Sequence, residues 1–207
     1  MSLAWKLALC AVLGYLLGGL NGAIIISRSG KLGDVREHGS GNAGLTNFLR
    51  SYGGWRTLLV VALDIGKVFL ACWLGALLLP EQKELAKMTA GAATQLGHVF
   101  PVYFGFHGGK GILSSGALAL AMDWRVFVVI FAVFLMLFLL TKYVSLGSVC
   151  AAAVYPVAFL FFYREQTAVW LIALGMALVA IVMHRGNIVR LCKGTERKTQ
   201  LFKSNKK

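Results

Sequence analysis

The sequence predicts an all-α polytopic membrane protein: seven transmembrane helices around a cytoplasm-facing site, with the N-terminus out and the C-terminus in. Three observations predict it. Apolar residues make up 58% of the 207 residues and charged ones only 14%, and the mean hydropathy of +0.73 lies far from that of an ordinary soluble domain. The apolar residues fall into runs suited to crossing a hydrocarbon layer. Between the runs lie stretches of Gly, Ser, Asn, His and cations, which sort by charge once the crossings are counted.

The first expected span is Leu3 to Ile26, whose one charge, Lys6, can snorkel near its end. It outruns a signal-peptide core, and no convincing cleavage site follows, so it is expected to stay in the mature chain. Asn21 and Gly22 near its exit allow close packing or a polar contact. Gly53 and Gly54 then turn the chain into a second span, Trp55 to Leu79, which Pro80 stops. Asp64 and Lys67 sit inside it at i,i+3 on one helix face. Two readings stand side by side: mutual pairing that eases their burial, or anchoring of a neighbouring loop. A third, less hydrophobic helix is expected over Leu85 to Phe104, with Ala90, Gly91, Ala92 and Ala93 as a close-packing surface. Ile112 to Met122 is short for a span and reads as a broken or thin-region helix. Trp124 to Leu140, Val149 to Tyr163 and Thr167 to Met183 complete the seven. The whole chain, 1–207, reads as a single integral membrane domain.

With the N-terminus outside, fifteen Lys and Arg face the cytoplasm, Lys203, Lys206 and Lys207 among them, and four face out. The same count places four polar interruptions on one face, residues 30–50, 105–111, 141–148 and 184–196. One composite site becomes plausible.

The net charge of +13 raises nucleic acid as a partner, but no motif for reading bases and no soluble basic domain accompany it. In so apolar a chain the charge reports topology and anionic headgroups or phosphorylated substrates. The cysteines show neither metal-ligand spacing nor a disulfide framework. Asp34, Glu37 and Glu196 are the three carboxylates of the inward loops, too few to favour metal catalysis or nucleotide hydrolysis. No GxSxG elbow occurs, and no histidine is followed five positions later by aspartate.

The interruptions carry the candidate chemistry. In the first, Gly39, Gly41 and Gly44 allow backbone N–H groups to converge on an anion. Ser40, Asn42, Thr46 and Asn47 add donors, and Arg36 and Arg50 add fixed charge. A solvated loop with basic flanks is the competing reading. In the second, Gly108, Gly109, Lys110 and Gly111 look like part of a nucleotide phosphate loop, but no Ser or Thr follows the lysine. What survives is a flexible backbone beside an ammonium able to neutralise phosphate, against the reading of a topology-setting lysine. His98 reads as a packing histidine or a direct participant. The third interruption supplies Ser145 and Ser148. In the fourth, His184, Asn187 and Arg190 are spaced by three, so a continuing helix would align them on one stripe. An imidazole, an amide and a guanidinium on one edge suit a phosphorylated polyol, with His184 able to orient or deprotonate a hydroxyl.

Taken together and in order, HGSGNAGLTNFLR (38–50), HVFPVYFGFHGGKG (98–111), TKYVSLGS (141–148) and HRGNIVRLCKGTE (184–196) resemble the bacterial membrane acyl-phosphate:glycerol-3-phosphate acyltransferases. The resemblance covers nearly the entire chain. It implies seven helices in the bacterial cytoplasmic (inner) membrane, multi-pass, and acyl transfer from acyl phosphate to the 1-hydroxyl of glycerol 3-phosphate. The products would be lysophosphatidic acid and inorganic phosphate, with no metal or other cofactor and no obligate protein partner beyond membrane lipids. It implies that Ser40, Arg50, Lys110, His184 and Asn187 gather around glycerol phosphate, and that Thr46, Gly109 and Ser148 surround the acyl phosphate. His107 stands where lysine is common in the family pattern, Ala43 and Leu45 replace Pro and Ala, and Ser114 replaces threonine. A transporter of anionic metabolites is the alternative from another class.

Overall fold

The computed structural model describes residues 2–199 and, among them, ten α-helices. The first apolar run is not one helix. α1 (Leu3–Gly19) ends at Leu20, and α2 (Gly22–Ser29) begins anew because Asn21 caps it, its Oδ1 accepting from the Ile24 N–H at 3.1 Å. The short α3 (Leu45–Ser51) lies within the first polar stretch. Then come α4 (Arg56–Leu78), α5 (Lys83–Val99), α6 (Ile112–Met122), α7 (Trp124–Thr141), α8 (Val144–Phe162), α9 (Thr167–Met183) and α10 (Arg185–Cys192).

Seven crossings are not what the described residues form. Four helical stretches are long and apolar enough to cross a membrane: Leu3–Ser29, Arg56–Leu78, Trp124–Thr141 and Val144–Phe162. A fifth exists if α9 and α10, bent by 57°, count as one span. The expectation of seven is therefore overturned, and the orientation derived from it, N-terminus out and C-terminus in, falls with it. The charge count also drew on Lys203, Lys206 and Lys207, which lie outside the described residues. The physical reason is specific to two helices. α6 has 11 residues, a rise of about 17 Å against a hydrocarbon core of about 30 Å. α5 has 17 residues and carries Lys83, Glu84, Lys87, Gln95 and His98, too polar a face for lipid. Within the protein that face is covered, with Thr94, Gln95 and His98 all buried.

α5 is held by α1. A Cβ at Gly14 or Gly18 would come within 2.2 Å of the Ala90 or Thr94 carbonyl oxygen, so the two backbones meet only because those positions carry none. The expected close-packing surface on α5 therefore divides: Ala90 faces α1, while Gly91 faces Leu118 of α6. A second core, including Val68, Met88, Leu118, Val126, Tyr155 and Phe159, joins α4 to α9. α7 lies outermost among the spans and exposes Val128, Met136, Leu139 and Leu140, as a lipid-facing helix does.

Candidate active site

The first loop is organised by one amide. Asn47, at the start of α3, is buried; its Oδ1 accepts from the Ser40 N–H at 2.8 Å, and its Nδ2 donates to the carbonyls of Val35 and His38 at 3.0 and 2.9 Å. Gly39 sits at φ 64°, and a Cβ there would fall 2.3 Å from Asn47 Oδ1, so this turn requires glycine on both counts. Asp34 bridges Arg28 and Arg36, and Arg36 reaches across to the carbonyls of Phe104 and His107 at 2.7 and 3.1 Å. The Arg36 and Arg28 guanidiniums hold the Asp34 carboxyl well below the usual carboxylate range, against its partial burial.

The second loop lies against α5. Gly108 N–H donates to the Val99 carbonyl at 3.1 Å and Gly109 N–H to that of His98 at 3.0 Å, while the Gly108 carbonyl accepts from Ala43 N–H at 3.3 Å. A Cβ on Gly108 would meet the His98 carbonyl oxygen at 2.0 Å. Side-chain-free residues thus fold flat on α5 and carry Lys110 forward, where its ammonium donates to Asn187 Oδ1.

That contact joins the glycine loop to the last interruption. The chain bends at His184, between α9 and α10; His184 Nδ1 lies 2.8 Å from the Ala180 carbonyl, so Nδ1 carries the proton and Nε2 keeps its lone pair. Asn187 Nδ2 donates to Glu196 at 2.7 Å, Ser145 Oγ to the same oxygen at 2.8 Å, and Arg190 Nε to the other carboxylate oxygen at 2.7 Å. Burial pushes the Glu196 carboxyl up, but these three donors outweigh it and leave the group below the usual carboxylate range. Burial draws the Lys110 ammonium below the ordinary lysine value; Glu196 opposes this, and Arg190 and Arg50 add to it.

All four interruptions border one cavity of about 910 Å³. Its polar end is lined by the two loops, the α8 start and the α9–α10 bend. From Ser145 the wall runs along α8 to Tyr155, about 15 Å of helix, and there it faces Phe127, Ile130, Phe131 and Phe134 of α7. One end suits phosphate, the other hydrocarbon.

A family model described as glycerol-3-phosphate acyltransferase matches residues 8–194. The chain belongs to the glycerol-3-phosphate acyltransferase family. It is 38% identical over 186 residues to a glycerol-3-phosphate acyltransferase of Prochlorococcus marinus (strain MIT 9215), covering 89% of this chain and 93% of the relative. It is 37% identical over 196 residues to the protein of that name from Bacillus velezensis (strain DSM 23117 / BGSC 10A6 / LMG 26770 / FZB42), covering 95% and 99%. Among solved structures, PlsY (YgiH), an integral membrane glycerol 3-phosphate acyltransferase, superposes in its glycerol 3-phosphate form with a TM-score of 0.83 at 33% identity. That match covers 94% of this chain and 96% of the other.

Most of the residues singled out in this acyltransferase's sequence line the cavity: Ser40, Asn42, Thr46, Asn47 and Arg50, Lys110 and Gly111, Ser145 and Ser148, and His184, Asn187 and Arg190. Gly108 and Gly109 do not, and their N–H groups are already given to α5 carbonyls. Arg36 is not at the cavity wall but ties the two loops together. The helix does not run on through His184, so Asn187 and Arg190 meet the site from α10 and not from a continuous stripe. His107 is exposed and off the cavity.

Asp64 and His98, each of which the sequence left open between a structural and a functional role, reach the cavity wall from α4 and α5. Two features escaped the sequence reading. Glu196, which stood in the sequence only as a carboxylate of an inward loop, is drawn into the site from beyond α10. The apolar wall on α7 carried no signal, since lipid-facing and cavity-facing Phe look alike in sequence.

Proposed function

We propose that this membrane acyltransferase moves a fatty acyl group from an acyl phosphate to the 1-hydroxyl of glycerol 3-phosphate, releasing 1-acyl-glycerol 3-phosphate and inorganic phosphate, and that the chain acts as one catalytic domain. The observation that carries the reading is the cavity's polarity: cations and small donors at one end, phenylalanines and alanines at the other. The substrates bring two phosphates and one long chain. Arg50, Lys110 and Arg190 neutralise phosphate, with Ser40 and Asn187 beside the glycerol phosphate and Thr46 and Ser148 beside the acyl phosphate.

The donor is already activated, so no covalent enzyme intermediate is needed. The glycerol oxygen attacks the acyl carbonyl carbon, the bond from that carbon to the phosphate oxygen breaks, and the electron pair leaves with inorganic phosphate. The hydroxyl proton passes to a substrate phosphate oxygen. His184 Nε2, with its lone pair free, orients the hydroxyl or shares that proton on its way to the phosphate. Lys110 and Arg50 balance the charge growing on the leaving phosphate. Gly109 contributes by its fit against α5, which aims Lys110.

The test uses purified, detergent-solubilised protein with labelled glycerol 3-phosphate, no added metal, and either long-chain acyl phosphate or acyl-CoA as donor. Lysophosphatidic acid from acyl phosphate alone is expected. Product from acyl-CoA alone would reassign the donor, and product from neither would reject the reaction.

A further inference from the structure

Beneath the glycine loop lies a second ionic cluster for which the reaction above has no use. Asp64, Lys67 and His98 are each at least 94% buried. Lys67 Nζ lies 2.8 Å from Asp64 Oδ1 and donates to the carbonyls of Gly18 and Leu20 at 3.0 and 3.1 Å. An ammonium has three protons, and these partners take all of them. Asp64 Oδ1 also accepts from the Gly22 N–H at 3.1 Å. The pair therefore grips both sides of the break between α1 and α2, the last carbonyls of one helix and the first N–H of the next. Burying two charges in a span is expensive, and a plain apolar pair would fill the space without it.

What the grip achieves is read at Asn21, the residue in the break. Its Oδ1 caps α2, and its Nδ2 donates to the Ala43 carbonyl at 3.0 Å. Ala43 N–H in turn donates to the Gly108 carbonyl. From the other side, His98 Nδ1 sits 3.1 Å from Lys67 Nζ and 3.5 Å from Asp64 Oδ1, and its own carbonyl receives Gly109 N–H. A Cβ on Gly109 would lie 2.1 Å from His98 Nε2, so the imidazole is also a steric stop for the loop. The buried cluster thus touches both phosphate-bearing loops, at Ala43 and at Gly109, one residue from Lys110.

We propose that Asn21, Asp64, Lys67 and His98 form a buried frame that fixes the separation of the Ser40–Arg50 loop from Lys110, and that Asn21 is its positioning residue toward the reaction. The proposal rests on the acyl-transfer reading for its kinetic consequence, though not for its structural one. Removing a buried charge risks unfolding, so the probe is Asn21→Ser, which keeps a capping oxygen but cannot reach Ala43. Asn21→Asp is the second probe: it keeps the reach and the cap while turning the donor into an acceptor.

With acyl phosphate as donor, both variants should lose about 10²-fold in kcat/KM, as expected for roughly ångström-scale misplacement of reacting groups. Thermal midpoints should stay within a few degrees of the parent. Placed on Lys110→Ala, Asn21→Ser should cost only a few-fold more, because the lysine it helps to place is already gone. Amide hydrogen exchange supplies a readout free of activity: residues 40–47 and 108–111 should exchange faster, with α8 unchanged. Full multiplication of the two losses, unaltered exchange in the loops, or failure of both variants to fold would overturn the frame. An inactive parent whose loops still loosen in Asn21→Ser would reject the reaction and leave the frame standing.

Discussion

Two ionic clusters flank the glycine loop, and they differ in what their lysines touch. Lys67 has every proton committed to a carboxylate and two backbone carbonyls. Lys110, on the glycine loop itself, donates to one amide oxygen at the edge of a wide cavity, within the field of a carboxylate and two arginines. Saturation marks a group that holds the protein; incomplete coordination beside a cavity marks a group that holds a ligand. The same contrast separates Asn47, whose amide has three protein partners, from Asn187, which stands between Lys110 and Glu196 at the cavity wall.

The largest expected effect tests the open cluster directly. Lys110→Ala should reduce kcat/KM on the order of 10²- to 10³-fold while the protein elutes as a folded species. Unchanged turnover and unchanged affinity for glycerol 3-phosphate would remove this residue from the chemistry. Next comes the saturated amide. Asn47→Leu strands the Ser40 N–H and takes one of two donors from each of the Val35 and His38 carbonyls, and should destabilise the protein by about 1–3 kcal/mol, read as a lower thermal midpoint. A loss of substrate affinity at unaltered stability would move Asn47 to the ligand-holding side of the comparison.

This division was only half legible in the sequence. Polar groups are expensive in an apolar chain, so Ser40, Arg50, Lys110, His184 and Asn187 stood out, and the cavity gathers all five. What an amide or a glycine N–H is already bonded to depends on the tertiary fold. Asn47 and Gly109 were therefore read as donors to substrate, when their own backbone neighbours take those bonds. Glu196 is brought to the site from past the end of α10, a return that no local pattern records. The span count failed for a related reason: hydropathy reports how apolar a helix is, and α5 and α6 are covered by protein on faces that lipid would otherwise meet.

A smaller effect lies in the pH dependence. Burial lowers the Lys110 pKa, so its ammonium is lost at a lower pH than that of a free lysine at about 10.4. As the pH rises through that depressed value, phosphate loses its counter-charge and kcat/KM, which reports the free enzyme, should fall. Lys110→Arg keeps its charge throughout and should move the alkaline limb upward, even where its peak rate is lower. An alkaline limb that stays in place in Lys110→Arg would belong to another group.

The smallest expected effect concerns the other end of the cavity, where no charge is involved. Ala152 is buried on α8 and lines the apolar wall with Phe127, Phe131 and Phe134. Ala152→Leu adds bulk there without touching Lys110 or the loops. Each methylene withdrawn from water contributes about 0.8 kcal/mol, close to a factor of four. A chain shortened by one or two methylenes of burial should therefore lose several-fold in kcat/KM relative to the parent. The loss should be confined to long acyl phosphates, because a short donor stops before the obstruction and keeps its parental rate. Competition between long and short acyl phosphates in one assay measures that ratio directly. An equal loss for every chain length would mean that the substitution disturbs α8 as a whole, and that the hydrocarbon leaves the polar end by a path other than the wall facing α7.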